Sequence, residues 1–169
     1  VAPGAAGLAN RVDTGRAASF AFGDGNPLVD VQGHGTMVAS IISTVASGSE
    51  AAPGVRILPV QIAGPGGETS AQAVADGIRY AISRRARIIN LSLQGSNRSK
   101  VEQDAIDAAV RKGILVIAAS GNTGKDTCGV KGITQCEYPG AYRHVLAVGA
   151  TDEGGTALPE STRGMHVAL

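Results

Sequence analysis

The segment Ile114-Leu115-Val116-Ile117-Ala118-Ala119 is an unbroken apolar run of strand length, and Val145-Leu146-Ala147-Val148-Gly149-Ala150 repeats its character. Such runs read as strands buried on both faces, which parallel sheets contain and half-solvated antiparallel sheets do not. Ile88-Ile89-Asn90-Leu91-Ser92-Leu93 reads as a third strand. Between it and Ile114, Ser99 with Glu102 forms a capping box. The box opens a helix with Val101, Ala105, Ile106 and Val110 inward, and Gly113 closes it. Strand, helix and strand in this rhythm require right-handed crossovers and a parallel sheet. The expected class is α/β: three-layer, mainly parallel, with helices on both faces.

Residues 1–33 are rich in Gly, Ala and Asp and carry no sustained period. From His34 to about Ala46, apolar residues at 37, 38, 41, 42 and 45 follow helical spacing, so the helix is expected to bury that stripe. Val55 to Ile62 reads as a strand broken by Gly64-Pro65-Gly66-Gly67. Thr69 or Ser70 then caps a helix with Val74, Ile78 and Ile82 on one stripe. A chain of 169 residues with 43% hydrophobic residues is long enough for one core. With aromatics at only 3%, that core must be built from Ala, Val, Ile and Leu. A formal charge of +1 gives no electrostatic case for nucleic acid or an anionic membrane. No apolar run approaches the roughly 18 residues of a membrane span, and no signal peptide begins the chain. Cys128 and Cys136 are either free or paired, as an oxidising compartment would allow. Their spacing does not resemble a zinc site.

In a parallel sheet, sites form beyond the carboxyl ends of the strands. Asn122, in Ser120-Gly121-Asn122-Thr123-Gly124, follows one such end, where a carboxamide can turn the chain or donate to a developing oxyanion. His34 lies between Gly33 and Gly35 at a helix start, where the helix dipole disfavours imidazolium and leaves the ring available as a base. A base and an oxyanion donor at element ends suggest acyl transfer.

Four stretches in order then carry a resemblance. Gly33-His34-Gly35-Thr36-Met37-Val38-Ala39-Ser40 resembles the histidine motif of subtilisin-like serine proteases. Ile89-Asn90-Leu91-Ser92-Leu93 is similar to the family's substrate-binding strand, and Ala118-Ala119-Ser120-Gly121-Asn122 to its oxyanion segment. Tyr138-Pro139-Gly140 with Val145–Ala150 resembles the next stretch. The resemblance implies His34 as general base and Asn122 as oxyanion donor. The backbone of Ser92, Leu93 and Gln94 would pair with an extended peptide, and Gly95, Ala119, Ser120 and Gly121 would line the specificity pocket. It also implies a cis Tyr138–Pro139 bond. Met37 replaces a second His of the usual motif, outside the catalytic triad.

Val12-Asp13-Thr14-Gly15 resembles the family's Asp motif, but no apolar strand precedes it and His34 follows only 21 residues later. A register with Leu8–Val12 after the Asp motif fits better, so Asp13 is expected to be a decoy. Asp24 and Asp30 then read as loop residues near His34, with a metal-binding role as the alternative. No Gly-Thr-Ser nucleophile motif occurs, and Ser40, Ser92 and Ser120 lie inside motifs with other roles. The expectation is an incomplete subtilisin-type catalytic domain over residues 1–169, truncated at both ends and inactive by itself. The alternative is a non-catalytic pseudoprotease or peptide-binding fragment. A nucleotide-binding domain is disfavoured because no glycine-rich phosphate loop occurs at a strand–helix junction. The resemblance implies a peptide or protein substrate and a secreted or extracytoplasmic setting. It requires no cofactor and allows calcium, although no compact acidic loop is present.

Overall fold

The computed structural model describes residues 1–8, 10–23, 25–48, 54–127, 132–164 and 166–168. Val1–Gly77 form one compact unit and Ile78–Leu169 another.

In the first unit, β1 (Ala18–Ser19) and β2 (Val60–Gln61) pair in parallel, with Ala18 opposite Val60. An isolated parallel bridge joins Val12 to Ile57. The strand expected over 55–62 thus shrinks to two residues and a bridge. Pro59 has no N–H to give a ladder and offers only its carbonyl, which accepts from Ala18 N–H at 3.1 Å. Helix α1 (His34–Ser47) begins at the predicted residue, but its buried face is not the predicted one. Ala39, Ser43 and Ala46 face inward, while Met37, Ile41 and Val45 are more than half exposed. Small residues let the helix approach the chain before it: Ser43 Oγ donates to the Gly7 carbonyl at 2.5 Å, and Ala39 packs with Leu8 and Val12. Helix α2 (Ala71–Ser83) starts where Ser70 Oγ accepts from Ala73 N–H at 3.1 Å. Gly77 lets α2 lie on β2, since a Cβ there would stand 2.8 Å from Ile62 Cγ2 and 3.2 Å from Val60 Cγ1.

The second unit holds β3 (Ile88–Leu91), β4 (Leu115–Ala119), β5 (Val145–Val148) and β6 (Val167–Ala168), all parallel and in sequential order. This is the sheet that the strand–helix rhythm predicted. Helix α3 (Lys100–Arg111) crosses from β3 to β4 and lies against β4. Its Ala105, Ile106 and Ala109 are buried, as are Ile89, Leu91, Val116, Ala118 and Ala147 on the sheet. Strand side chains alternate in direction. The other face, with Ile88, Leu115, Leu146 and Val148, remains exposed. The expectation of strands buried on both faces therefore holds for one face only, because no described element of this unit lies over the second. No described helix is long and apolar enough to cross a membrane.

Ser99 does occupy the N-cap position of α3, but its side chain makes no cap bond. Tyr142 stands in the predicted capping box. Ser99 N–H donates to Tyr142 Oη, and Tyr142 O–H donates to Glu102 Oε2, both at 2.7 Å. Burial raises the Glu102 carboxyl above its usual value, against the lowering effect of the tyrosine bond. Burial first, then the hydrogen bond to Glu102, pushes the Tyr142 phenol upward as well. At the other end Gly113, at φ +74°, closes α3 as predicted.

Candidate active site

In the first unit, His34 is exposed on the first residue of α1, behind Gly33 in the left-handed region at φ +76°. The turn is set by Asp30, four residues earlier. Asp30 Oδ1 accepts from Gly33 N–H at 2.9 Å, and Oδ2 accepts from Thr36 N–H at 2.7 Å and Thr36 O–H at 2.6 Å. Partial burial acts to raise the Asp30 carboxyl, but these bonds and the charge of the terminal ammonium outweigh it and hold it below its ordinary value. Asp30 is a loop residue, as expected, and from there its carboxylate holds the turn that leads into α1. Asp24 lies outside the described residues.

Asp13 pairs with Arg16. Arg16 Nε donates to Oδ2 at 2.7 Å, and the Arg16 hydrogen bond and charge hold the carboxyl below its usual range. The side chain lies at a local turn, Thr14–Arg16.

In the second unit, three segments converge. Gly95, beyond β3, exchanges two backbone hydrogen bonds with Tyr138, 2.8 Å from Gly95 N–H and 2.7 Å back. Gln94 Oε1 accepts from Asn122 N–H at 2.6 Å, a side-chain role that sequence reasoning missed. Ser92 Oγ accepts from the Asn90 amide at 2.9 Å. Beyond β4, Ser120 is buried, donating through Oγ to the Thr162 carbonyl at 2.9 Å. Gly121 has φ +116°, and a Cβ there would lie 2.7 Å from Thr162 Oγ1 and 3.0 Å from Glu137 Cγ. Thr162 also accepts from Thr123 N–H at 3.0 Å. Ala119 abuts Gly140, where a Cβ would stand 2.7 Å from the Ala119 carbonyl. The Tyr138–Pro139 bond is cis, as the resemblance implied.

Gln94, Gly95, Ala119, Ser120, Gly121 and Asn122 are thus brought into one cluster, with Asn122 exposed at its edge, while Ser92 and Leu93 lie on the chain between β3 and Gln94. Glu137 and Thr162 belong to the same cluster and were not singled out from sequence. Their only sequence signals were a position just before Tyr138-Pro139-Gly140 and a place in the C-terminal segment. Cys136, next to Glu137, is disulfide-bonded, while Cys128 lies outside the described residues. Among the described residues no group of His, Cys, Asp or Glu side chains is arranged to hold a metal ion.

Known proteins resemble this chain in sequence and in fold. The family model described as the subtilase family, Peptidase_S8, matches residues 13–168. Alkaline elastase YaB of Bacillus sp. (strain YaB) is 33% identical over 151 residues, covering 87% of this chain and 38% of that protein. Minor extracellular protease Epr of Bacillus subtilis (strain 168) is 36% identical over 141 residues, covering 82% of this chain and 21% of that protein. The crystal structure of a lanthipeptide protease superposes with a TM-score of 0.78 at 25% identity, over 93% of this chain and 47% of that one. The chain therefore spans less than half the length of each of these proteins. The likeness places its parallel sheets and helices in the three-layer α/β architecture of subtilisin-like proteins. By its motifs, its fold and these matches, the chain belongs to the subtilase family.

Proposed function

We propose that this chain supplies the base, the oxyanion donor and the substrate strand of a subtilisin-type serine endopeptidase. The reading is carried by the convergence of the β3 and β4 ends, where Gln94 fixes the backbone at Asn122 at 2.6 Å. A peptide would extend along Ser92–Gln94, since both backbone groups of Gly95 are taken by Tyr138. His34 would take the proton of an attacking serine, and the Asn122 amide would donate to the carbonyl oxygen as it becomes negative. Asp13, which its register marks as a decoy and which pairs with Arg16, is read as lying outside this machinery. The chemistry needs no cofactor. The disulfide at Cys136 and the likeness to the minor extracellular protease Epr of Bacillus subtilis support a secreted setting.

The sequence contains no Gly-Thr-Ser motif. The chain by itself is thus read as binding peptide without forming an acyl-enzyme. The test exposes the 169-residue chain to a fluorescent fluorophosphonate and, separately, to labelled extended peptides. Peptide binding without covalent labelling is expected. Labelling would reveal a nucleophile elsewhere in the chain, and failure of every peptide to bind would remove the substrate strand. In a longer protein carrying this chain and a nucleophile, Asn122→Leu should lower kcat by about 10²–10³, the effect of losing one oxyanion donor.

A further inference from the structure

Glu137 is 5% exposed, and no described group hydrogen-bonds or ion-pairs with its carboxylate. It stands apart from the other buried polar side chains of its unit. Ser120 donates to Thr162, Thr127 to Gln135, Ser161 accepts from Ala150, and Glu102 accepts from Tyr142. Arginines on flanking segments are already engaged, Arg163 with the Gly124 carbonyl and Asp126, and Arg143 with Asp107. A carboxylate removed from water without a partner is costly, and proteins retain such groups where a ligand supplies the missing charge.

Its location says which ligand. The Glu137 stem packs on the side-chain-less face of Gly121, the residue before Asn122. The next residue, Tyr138, is tied by two backbone bonds to Gly95, at the end of the strand read as pairing with peptide. Glu137 is therefore held between the two segments that would flank a bound peptide. Neither of its oxygens is among the fully sealed, unsatisfied polar atoms of the described residues, so the carboxylate is recessed without being closed off.

We propose that Glu137 is a specificity-determining residue that receives a cationic substrate side chain, Lys or Arg, from a peptide lying on Ser92–Gln94. The inference rests on the peptide-strand reading above and adds the substrate class. A long apolar stem ending in a cation suits a carboxylate recessed beneath a glycine, and a guanidinium can meet it with two parallel bonds. The formal net charge of +1 cannot by itself attract cations, so any such preference must be local.

The test uses fluorescence polarisation of labelled Ala-Ala-Val-X amides with the full 169-residue chain, X being Arg, Lys, norleucine or Glu. Arg and Lys peptides should bind about ten-fold tighter than the norleucine peptide, and the Glu peptide weakest. In Glu137→Gln the Arg-to-norleucine ratio should fall to within about two-fold. Glu137→Asp, which keeps the charge on a shorter stem, should retain a preference for cations. Circular dichroism melts confirm that both variants fold. Equal binding of Arg and norleucine peptides to the unmodified chain overturns the assignment, as does a cationic preference that survives Glu137→Gln. If none of the four peptides binds, the strand reading itself fails, and the assignment with it.

Discussion

Single atoms decide whether several positions tolerate change. A methyl group on Gly121 would meet Thr162 Oγ1 at 2.7 Å at a backbone angle that L-residues rarely adopt. Gly121→Ala should therefore cost about 2–4 kcal/mol in urea unfolding and weaken peptide binding, since the loop carrying Asn122 must move. Asp30 works through hydrogen bonds to the start of α1, and Asp30→Ala should cost about 1–2 kcal/mol, as loss of a helix cap does. The sign of its pH dependence follows from its lowered carboxyl. The folded group ionises below the ordinary 3.8, so its contribution is complete above that value and fades as pH falls through the folded one. Urea midpoints measured at descending pH should show a loss for the native chain that is smaller in Asp30→Ala.

At the level of helices and strands, Tyr142 replaces the local cap of α3 with a contact from about 40 residues away. Tyr142→Phe leaves Ser99 N–H and Glu102 without that partner and should destabilise by about 1–3 kcal/mol in thermal or urea melts. Glu102 has a raised carboxyl, so the sign reverses. Stability is favoured below the ordinary 4.5 and declines as pH rises through the higher folded value. Glu102→Gln keeps an acceptor for Tyr142 and should match or exceed the native chain near neutral pH, with a flatter pH profile. This rearrangement also shows what the sequence could reveal. Ser99-x-x-Glu102 correctly located the helix start, and Gly113 its end, because both signals are local. The partner of Glu102 was hidden because it arrives through tertiary packing. The same distinction holds for α1: His34 marked its first residue, but its buried side was misread. Ala39 and Ser43 lie against the preceding chain, where the larger residues that define the apolar period do not. At the candidate site, Asn122 was singled out from a strand end, and Gly95 and Gly121 only through the family resemblance. Glu137 was not, since an acidic residue before a Tyr-Pro turn looks like ordinary surface.

For the molecule as a whole, both units leave apolar surface in water: Met37, Ile41 and Val45 on α1, and Ile88, Leu115, Leu146 and Val148 on the sheet. Patches of this kind bind hydrophobic dyes and promote association. The chain is expected to enhance the emission of an anilinonaphthalene dye and to self-associate in concentration-dependent sedimentation. Replacing Leu115 and Leu146 with Thr should reduce both signals. Each replacement should cost about 1 kcal/mol or less, because both side chains are only partly buried. The bond between Tyr142 and Glu102 has an optical corollary. The chain has three tyrosines and no tryptophan, and two of those rings, Tyr138 and Tyr142, lie with centroids 4.5 Å apart. Ultraviolet emission therefore comes from phenols alone, and a phenol held against a carboxylate is dimmed. Binding events beside Tyr138 can be followed by light, with no dye attached.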